Sequence, residues 1–235
     1  MSETSAQNRS EIQQQLAKEI YADGEPQAIY DSIVRHSVDL IDGCDHASLM
    51  LKASGRYMTI AASDDVALVV DNLERQAGEG PCVDAIEDEG VQCDPDISKY
   101  STWPGLAKMV RENTDVRGMM GIRLLVDNRK IGALNLFSDE ADAFSEDSID
   151  QAAIIASFAS MAMMTLSARN QAETMERGLD SNRQIGKAIG LLMAAHKFSE
   201  DEAFDLLKRT SQNLNMKLAH VARKVVEGQQ DQFKN

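Results

Sequence analysis

The sequence is poor in cysteine and in positive charge, and it lacks the short motifs that announce a metal or a nucleotide. Its three cysteines, Cys44, Cys82 and Cys93, are an odd number with no C-x-x-C spacing, so neither a disulfide framework nor a zinc site is indicated. His36, His46, His196 and His220 show no metal or catalytic spacing either. The glycine turn Gly78-Glu-Gly-Pro-Cys82 matches neither G-x-x-x-x-G-K-[ST] nor G-x-G-x-x-G, and Glu79 would repel a phosphate, so it reads as a structural turn. No cofactor is identified. No apolar run of the roughly 20 residues that span a bilayer is expected, and Met1 to Ser10 has no apolar centre of the signal-peptide kind. The expectation is a cytoplasmic protein without a membrane partner. Lys and Arg number 24 against 38 Asp and Glu, a net charge of -14, which taken whole argues against nucleic acid, because phosphate repels an acidic surface.

Distribution reverses that last exclusion. From Ser181 to Asn235 there are nine Lys and Arg against six Asp and Glu, a net of +3, which leaves 15 against 32, or -17, for the rest. A mildly basic C-terminal module behind an acidic body is compatible with one nucleic-acid-facing part and equally with an ordinary solvated surface. At 235 residues with 43% apolar side chains, the chain is long enough for two small domains with ordinary buried cores.

The C-terminal module reads as three helices. The first carries apolar residues at steps of three and four through Ile185, Ala188, Ile189, Leu192 and Met193. The second starts at Ser199-Glu-Asp-Glu202, a capping box with Phe198 placed to staple onto Ala203, and shows Ala203, Phe204, Leu207 and Thr210 as its face. It stops near Ser211-Gln-Asn-Leu-Asn215, whose short polar side chains compete for backbone hydrogen bonds. The third presents Leu218, Val221, Ala222, Val225 and Val226, with Gly228 as its expected end. Ile185-Gly-Lys-Ala-Ile-Gly-Leu-Leu-Met193, Ala203-Phe-Asp-Leu-Leu207, Ser211-Gln212, Asn215-Met-Lys-Leu218 and Val221-Ala222 together resemble the ANTAR domain, an RNA-binding module of bacterial transcription antiterminators. Many members carry Lys between the Ala and Gly of the first helix; here Ile189 stands there, with Lys187 two residues earlier, so that basic contact is not carried over. The residues off the apolar faces are the candidate RNA contacts: Lys187, Lys197, Lys208, Arg209, Ser211, Gln212, Asn215 and Lys217, with Gly190 either permitting close approach of RNA or serving helix–helix packing. Lys and Arg would hold phosphate, while amides and hydroxyls could read unpaired loop bases.

Upstream, the pattern predicts a helix from Pro26 toward Leu40, a hairpin of His46–Leu51 and Arg56–Ala61 about Ser54-Gly55, a helix over Asp64–Gln76, a short helix over Val83–Asp88, an edge strand at Val91–Asp94, a helix over Pro104–Asn113, a hairpin of Met119–Val126 with Lys130–Phe137, and a long helix capped by Ser145. Ile12, Leu16 and Ile20, four apart, suggest a short docking helix before Gly24. This is an α+β arrangement around an antiparallel sheet. With Gln76-Ala-Gly-Glu-Gly-Pro-Cys82, Asp94, Ser101-Thr-Trp-Pro104, Gly132-Ala-Leu-Asn-Leu-Phe137 and Ala143-Phe144, it resembles a GAF domain, a fold that often encloses a small ligand near this turn. The resemblance implies a pocket around Cys82, Asp94, Trp103 and Asn135. The expected division is an N-terminal extension 1–24, a GAF sensor domain 25–167, a helical connector 168–180, a three-helix ANTAR domain 181–228 and a polar tail 229–235.

No Gly/Ser/Pro-rich break separates the parts. Alternate steps of four and three from Ile154 pass through Phe158, Met161, Thr165, Ala168, Ala172, Met175, Leu179, Asn182 and on to Met193, a seam that suits a parallel coiled coil in a homodimer, with Phe158, Met161, Met175, Leu179 and Asn182 at its contacts. A seam packed only on its own domain is the alternative. The function read from these features is a non-enzymatic, signal-responsive transcription antitermination regulator that binds hairpins in nascent leader RNA and is controlled by a small molecule or a protein through the GAF body. Two rivals are a protein-interaction module built on the three helices and a GAF-type free methionine sulfoxide reductase using Cys82 and Cys93, which would need an accessible low-pKa thiolate and a resolving thiol.

Overall fold

The computed structural model describes residues 14, 16–18 and 24–232. The chain divides into two compact units, Met1–Ser167 and Ala168–Asn235. In the first, helix α1 (Pro26–Leu40) is followed by strands β1 (His46–Ala53) and β2 (Arg56–Ala62), helices α2 (Asp65–Ala77) and α3 (Pro81–Glu87), strand β3 (Val91–Asp94), helix α4 (Pro104–Asn113), strands β4 (Gly118–Val126) and β5 (Arg129–Ser138), and the start of helix α5 (Glu146–His196). The five strands form one antiparallel sheet in the order β2-β1-β5-β4-β3, the α+β architecture the pattern predicts.

Local chemistry explains where these elements begin and end. Pro26, Pro81 and Pro104 each occupy a first helical turn, where a missing N–H costs nothing. Asp64 caps α2 by accepting from the Ala67 amide at 3.0 Å, and Gly78 closes it in the left-handed region at φ +70. Ser145 and Ser148 cap α5 reciprocally, each hydroxyl accepting from the other's amide at 3.2 and 3.1 Å.

One face of the sheet packs on α1 and α5 through Ile29, Ile33, Leu49, Leu134, Ile155 and Ala159; Val70, Leu106, Val110, Met119 and Phe137 join α2 and α4 in a second core. Of Ile12, Leu16 and Ile20, only Leu16 lies among the described residues, and it is buried in the first core; the other two lie outside them. An 18-residue window of α5 reaches a mean hydropathy of 1.4, and residues 151–168 carry no charged side chain. Against the expectation of no such run, this one helix is long and apolar enough by composition to cross a bilayer. Its apolarity serves the core: Ala152, Ile155, Ala156, Ala159, Ala162, Met163 and Leu166 are all buried.

The second unit contains the end of α5, α6 (Glu200–Asn213) and α7 (Leu218–Gln232). The capping box is formed: Ser199 Oγ accepts from the Glu202 amide at 3.3 Å and Glu202 Oε2 accepts from the Ser199 amide at 2.8 Å. Ala188, Leu207, Val221 and Ala222 are the buried centre, with Ile185, Ile189, Leu192, Leu218, Val225 and Val226 around it. Two expectations need correction. Phe204, assigned to the apolar face, is 38% exposed, because the small Ala203 beside it takes the inward position. Gly228 does not end α7, which runs through it to Gln232 into the segment expected as a tail; a glycine inside a helix costs only about 1 kcal/mol relative to alanine.

At Gly132 the neighbouring strand leaves no room for a side chain. A Cβ there would lie 2.1 Å from the Met50 carbonyl oxygen and 3.0 Å from Leu51 Cα, at the β1–β5 register point Leu51↔Gly132. Gly132→Ala is therefore expected to destabilise the body by about 1–3 kcal/mol, read as a lower urea midpoint. An unchanged midpoint would mean that β1 and β5 are farther apart than this register places them.

Candidate functional site

The C-terminal unit displays its polar residues on its solvent side. Lys187, Lys197, Lys208, Arg209, Gln212, Asn215 and Lys217 are exposed, and among the described residues none of these four lysines forms an ion pair. Lys187 lies on the open side of α5, next to buried Ala188, while Lys208 and Arg209 follow buried Leu207 on α6. Helical periodicity thus places the cations on the outside of the same turns that build the core. Ser211 and Asn215 have structural tasks as well. The Ser211 hydroxyl donates to the Met216 carbonyl at 2.6 Å, and Asn215 takes the left-handed conformation at φ +50 that reverses the chain between α6 and α7. A Cβ at Gly190 would meet nothing within 4 Å, and the same holds at Gly186, so packing within the chain does not require either glycine.

The proposed dimer seam differs along its length. Phe158 is half-buried against its own core and Met161 lines a groove with Ile122, Leu125 and Met164. Met175 and Leu179 are 69% and 65% exposed, and Asn182 is exposed as well.

The four predicted pocket residues are all buried, and they fall into two networks. Asp94 accepts from the Ser101 hydroxyl at 2.5 Å, Ser101 Oγ accepts from the Trp103 amide at 3.1 Å, and the Trp103 indole N–H donates to Asp84 at 2.7 Å. Asn135 belongs to a different centre. Its amide donates to Ser48 Oγ at 3.1 Å and to Asp71 Oδ1 at 3.0 Å, while Asp71 also accepts from Ser48 at 2.8 Å and from Thr59 at 2.6 Å. Three residues on α2 from Asp71, Glu74 accepts from the amides of Cys82 and Val83 at 2.8 and 3.2 Å. Gly80 lies against that carboxylate, and a Cβ there would meet Glu74 Oε1 at 2.3 Å.

Burial first, and the Asp71 charge second, push the Glu74 carboxyl up to about 8; burial raises Asp71 too, opposed by its three hydrogen-bond donors. Sequence reading missed both acids. Burial also drives the Cys82 thiol well above its ordinary value, Cys93 up to about 11 and Cys44 up to about 12, so all three stay protonated at neutral pH, the opposite of an activated thiolate.

The Glu74 shift has a measurable sign. Between the ordinary value of 4.5 and about 8, the folded protein holds a proton that the unfolded chain has given up, so stability falls as pH rises through that window and levels off above it. Glu74→Gln keeps an acceptor for the two amides and has no charge to bury; it is expected to flatten this part of the pH dependence of urea unfolding. An unaltered slope would place the titrating group elsewhere.

A GAF domain model matches residues 24–164, and an ANTAR domain model matches residues 173–226. A comparison with curated protein sequences gives no match. Among solved structures, the phycoerythrobilin-bound GAF domain from a cyanobacterial phytochrome is similar at TM-score 0.55 and 13% identity, covering 69% of this chain and 97% of that one. The GAF domain of a phosphoenolpyruvate-protein phosphotransferase from Coxiella burnetii gives 0.51 and 19% over 72% and 98%, and the reduced form of fRMsr of Staphylococcus aureus gives 0.53 and 14% over 66% and 94%. At these identities the likeness is one of fold. With the sheet, the flanking helices and the C-terminal three-helix unit in place, the chain belongs to the GAF domain family and carries an ANTAR domain behind its GAF domain, the arrangement of a sensor body joined to an RNA-binding regulatory module.

Proposed function

We propose that this protein is a cytoplasmic, non-enzymatic transcription antitermination regulator that binds hairpins in nascent leader RNA through its ANTAR domain, acts as a homodimer, and is controlled by a signal received in its GAF body. The observation that carries the reading is the solvent side of the C-terminal unit, where Lys187, Lys208, Arg209 and Gln212 are all exposed over an apolar centre within the ANTAR match. Phosphate contacts from these cations would position the RNA, and Gln212 offers an amide for an unpaired base. Lys208→Glu with Arg209→Glu is expected to lower the affinity of the full chain for RNA hairpins by about 10-fold or more at low salt and to flatten its salt dependence, with helicity unchanged by circular dichroism. Unchanged affinity would remove this surface from the RNA site; absence of any hairpin binding by the unaltered chain would favour a protein partner for the three helices.

Homodimerisation is supported by Met175 and Leu179, two large apolar side chains on α5 that are mostly exposed at coiled-coil spacing. Met175→Glu with Leu179→Glu would set charges into that seam, where burial without a partner is costly. Sedimentation should then shift toward monomer. A variant that stays dimeric puts the interface elsewhere.

A further inference from the structure

In the acidic centre between α2 and the sheet, two buried polar atoms have no hydrogen-bond partner. Glu74 is 1% exposed; its Oε1 takes the Cys82 and Val83 amides while Oε2 is unpaired. Asn135 is fully buried; its nitrogen is used by Ser48 and Asp71 while Oδ1 is unpaired. Asp71, which accepts from Ser48, Thr59 and Asn135, offers neither atom a donor in its ionised form. A native core leaves few such groups, and each calls for an explanation.

We propose that the GAF body binds the ammonium group of a small primary amine at this centre, with Glu74 Oε2 and Asn135 Oδ1 as its acceptors; the inference rests on reading the body as the sensor. Asn135 Oδ1 can only accept, and Glu74 Oε2, protonated at neutral pH, becomes an acceptor once a cation ionises it, so one cationic donor would serve both atoms. Ionised Glu74 faces the charges of Asp71 and Asp84, while Arg75, which donates to Thr59 at 2.9 Å, is the cation that acts on Asp71 among the described residues. Ionising Glu74 therefore calls for a further positive charge.

An ammonium supplies three N–H donors and that charge together, whereas an anion would face two carboxylates. A metal ion fits poorly, because no group of three or more His, Cys, Asp or Glu among the described residues could hold one. Met50, Cys82, Ile86 and Ala133 form a buried apolar cluster with Tyr57 half-buried against it, and the Cys82 amide joins that cluster to Glu74, so the alkyl chain of an amine would meet apolar neighbours. Gly80, in contact range of the Glu74 carboxylate, carries occupancy to the turn that leads into α3.

Without the ligand, Glu74 is held neutral by burial, up to about 8. An arriving ammonium favours its ionised form, so binding near neutral pH releases a proton, and affinity rises with pH toward that value.

The test uses the full chain and methylammonium, ethylammonium and propylammonium chlorides as probes, with sodium and tetramethylammonium chlorides at equal ionic strength. The expected result is a saturable rise in the unfolding midpoint with primary amines and none with the two controls. Calorimetry in buffers of different protonation enthalpy should show proton release on the unaltered protein. Glu74→Gln should weaken amine binding by about 10-fold to 100-fold; if that variant fails to fold, proton release on the unaltered chain decides alone. An equal response to tetramethylammonium, or amine binding without proton release, overturns the proposal. So does the absence of any saturable response to the amines: a metabolite extract that still raises the midpoint leaves the sensor reading standing, and an extract without effect counts against that reading too.

Discussion

A buried carboxyl group must find hydrogen-bond donors inside the protein, and that demand organises the body of this protein. Asp71 meets it by collecting Ser48 from β1, Thr59 from β2 and Asn135 from β5, so one side chain on α2 fixes the helix against three strands. Glu74, one turn further on, collects two amides at the start of α3 and fixes the turn through Gly80. The sheet order places β1 between β2 and β5, which is what brings those three donors to one carboxylate. A change of strand order would leave Asp71 unpaired, at a cost of several kcal/mol for a buried charge.

The C-terminal unit solves a different problem with simpler means. Its core is four fully buried small or medium side chains, Ala188, Leu207, Val221 and Ala222, edged by half-buried neighbours. Such a core supplies limited apolar burial, so the termini of its helices matter more: the Ser199–Glu202 capping box starts α6, and Asn215 in the left-handed region ends its turn. With the interior made of small residues, the long side chains of Lys187, Lys208 and Arg209 remain outside. The same economy that builds the fold therefore presents the cations.

Much of this was legible in the sequence because it is written in local rules. A cap at Ser145, Pro at first turns and period-two apolar runs locate the strands and helices of the body at nearly their observed bounds, the Ser199 capping box locates α6, and the charge division separates the basic module from the acidic body. What was not legible depends on long-range placement. Asp71 and Glu74 lie in an amphipathic pattern whose apolar positions are Val66, Val69, Val70 and Leu73, so they read as solvent-facing; only packing on β1, β2 and β5 reveals that they point inward while Val69 is exposed. The division of Cys82, Asp94, Trp103 and Asn135 between two hydrogen-bond networks is illegible for the same reason, since it depends on where α3 places Cys82 and Asp84. The uncharged run 151–168 is interrupted by Gln151, Ser157, Ser160, Thr165 and Ser167, which lower its apparent apolarity without adding charge.

Two properties of α2 then bear on how a sensor body of this kind works. A helix anchored by uncharged contacts alone would be insensitive to a cation or a proton, because neither changes the free energy of apolar packing. One anchored by Asp71 and Glu74 is sensitive to both, since desolvation and mutual repulsion set the cost of its ionised state. A ligand shifts a protein only through its unequal affinity for two states. Neutral and ionised Glu74 are two such states, differing in the charge that faces Asp71 and in the strength of the bonds to the Cys82 and Val83 amides. The group that makes the core costly to bury is thus the group through which a small charged signal would gain its leverage.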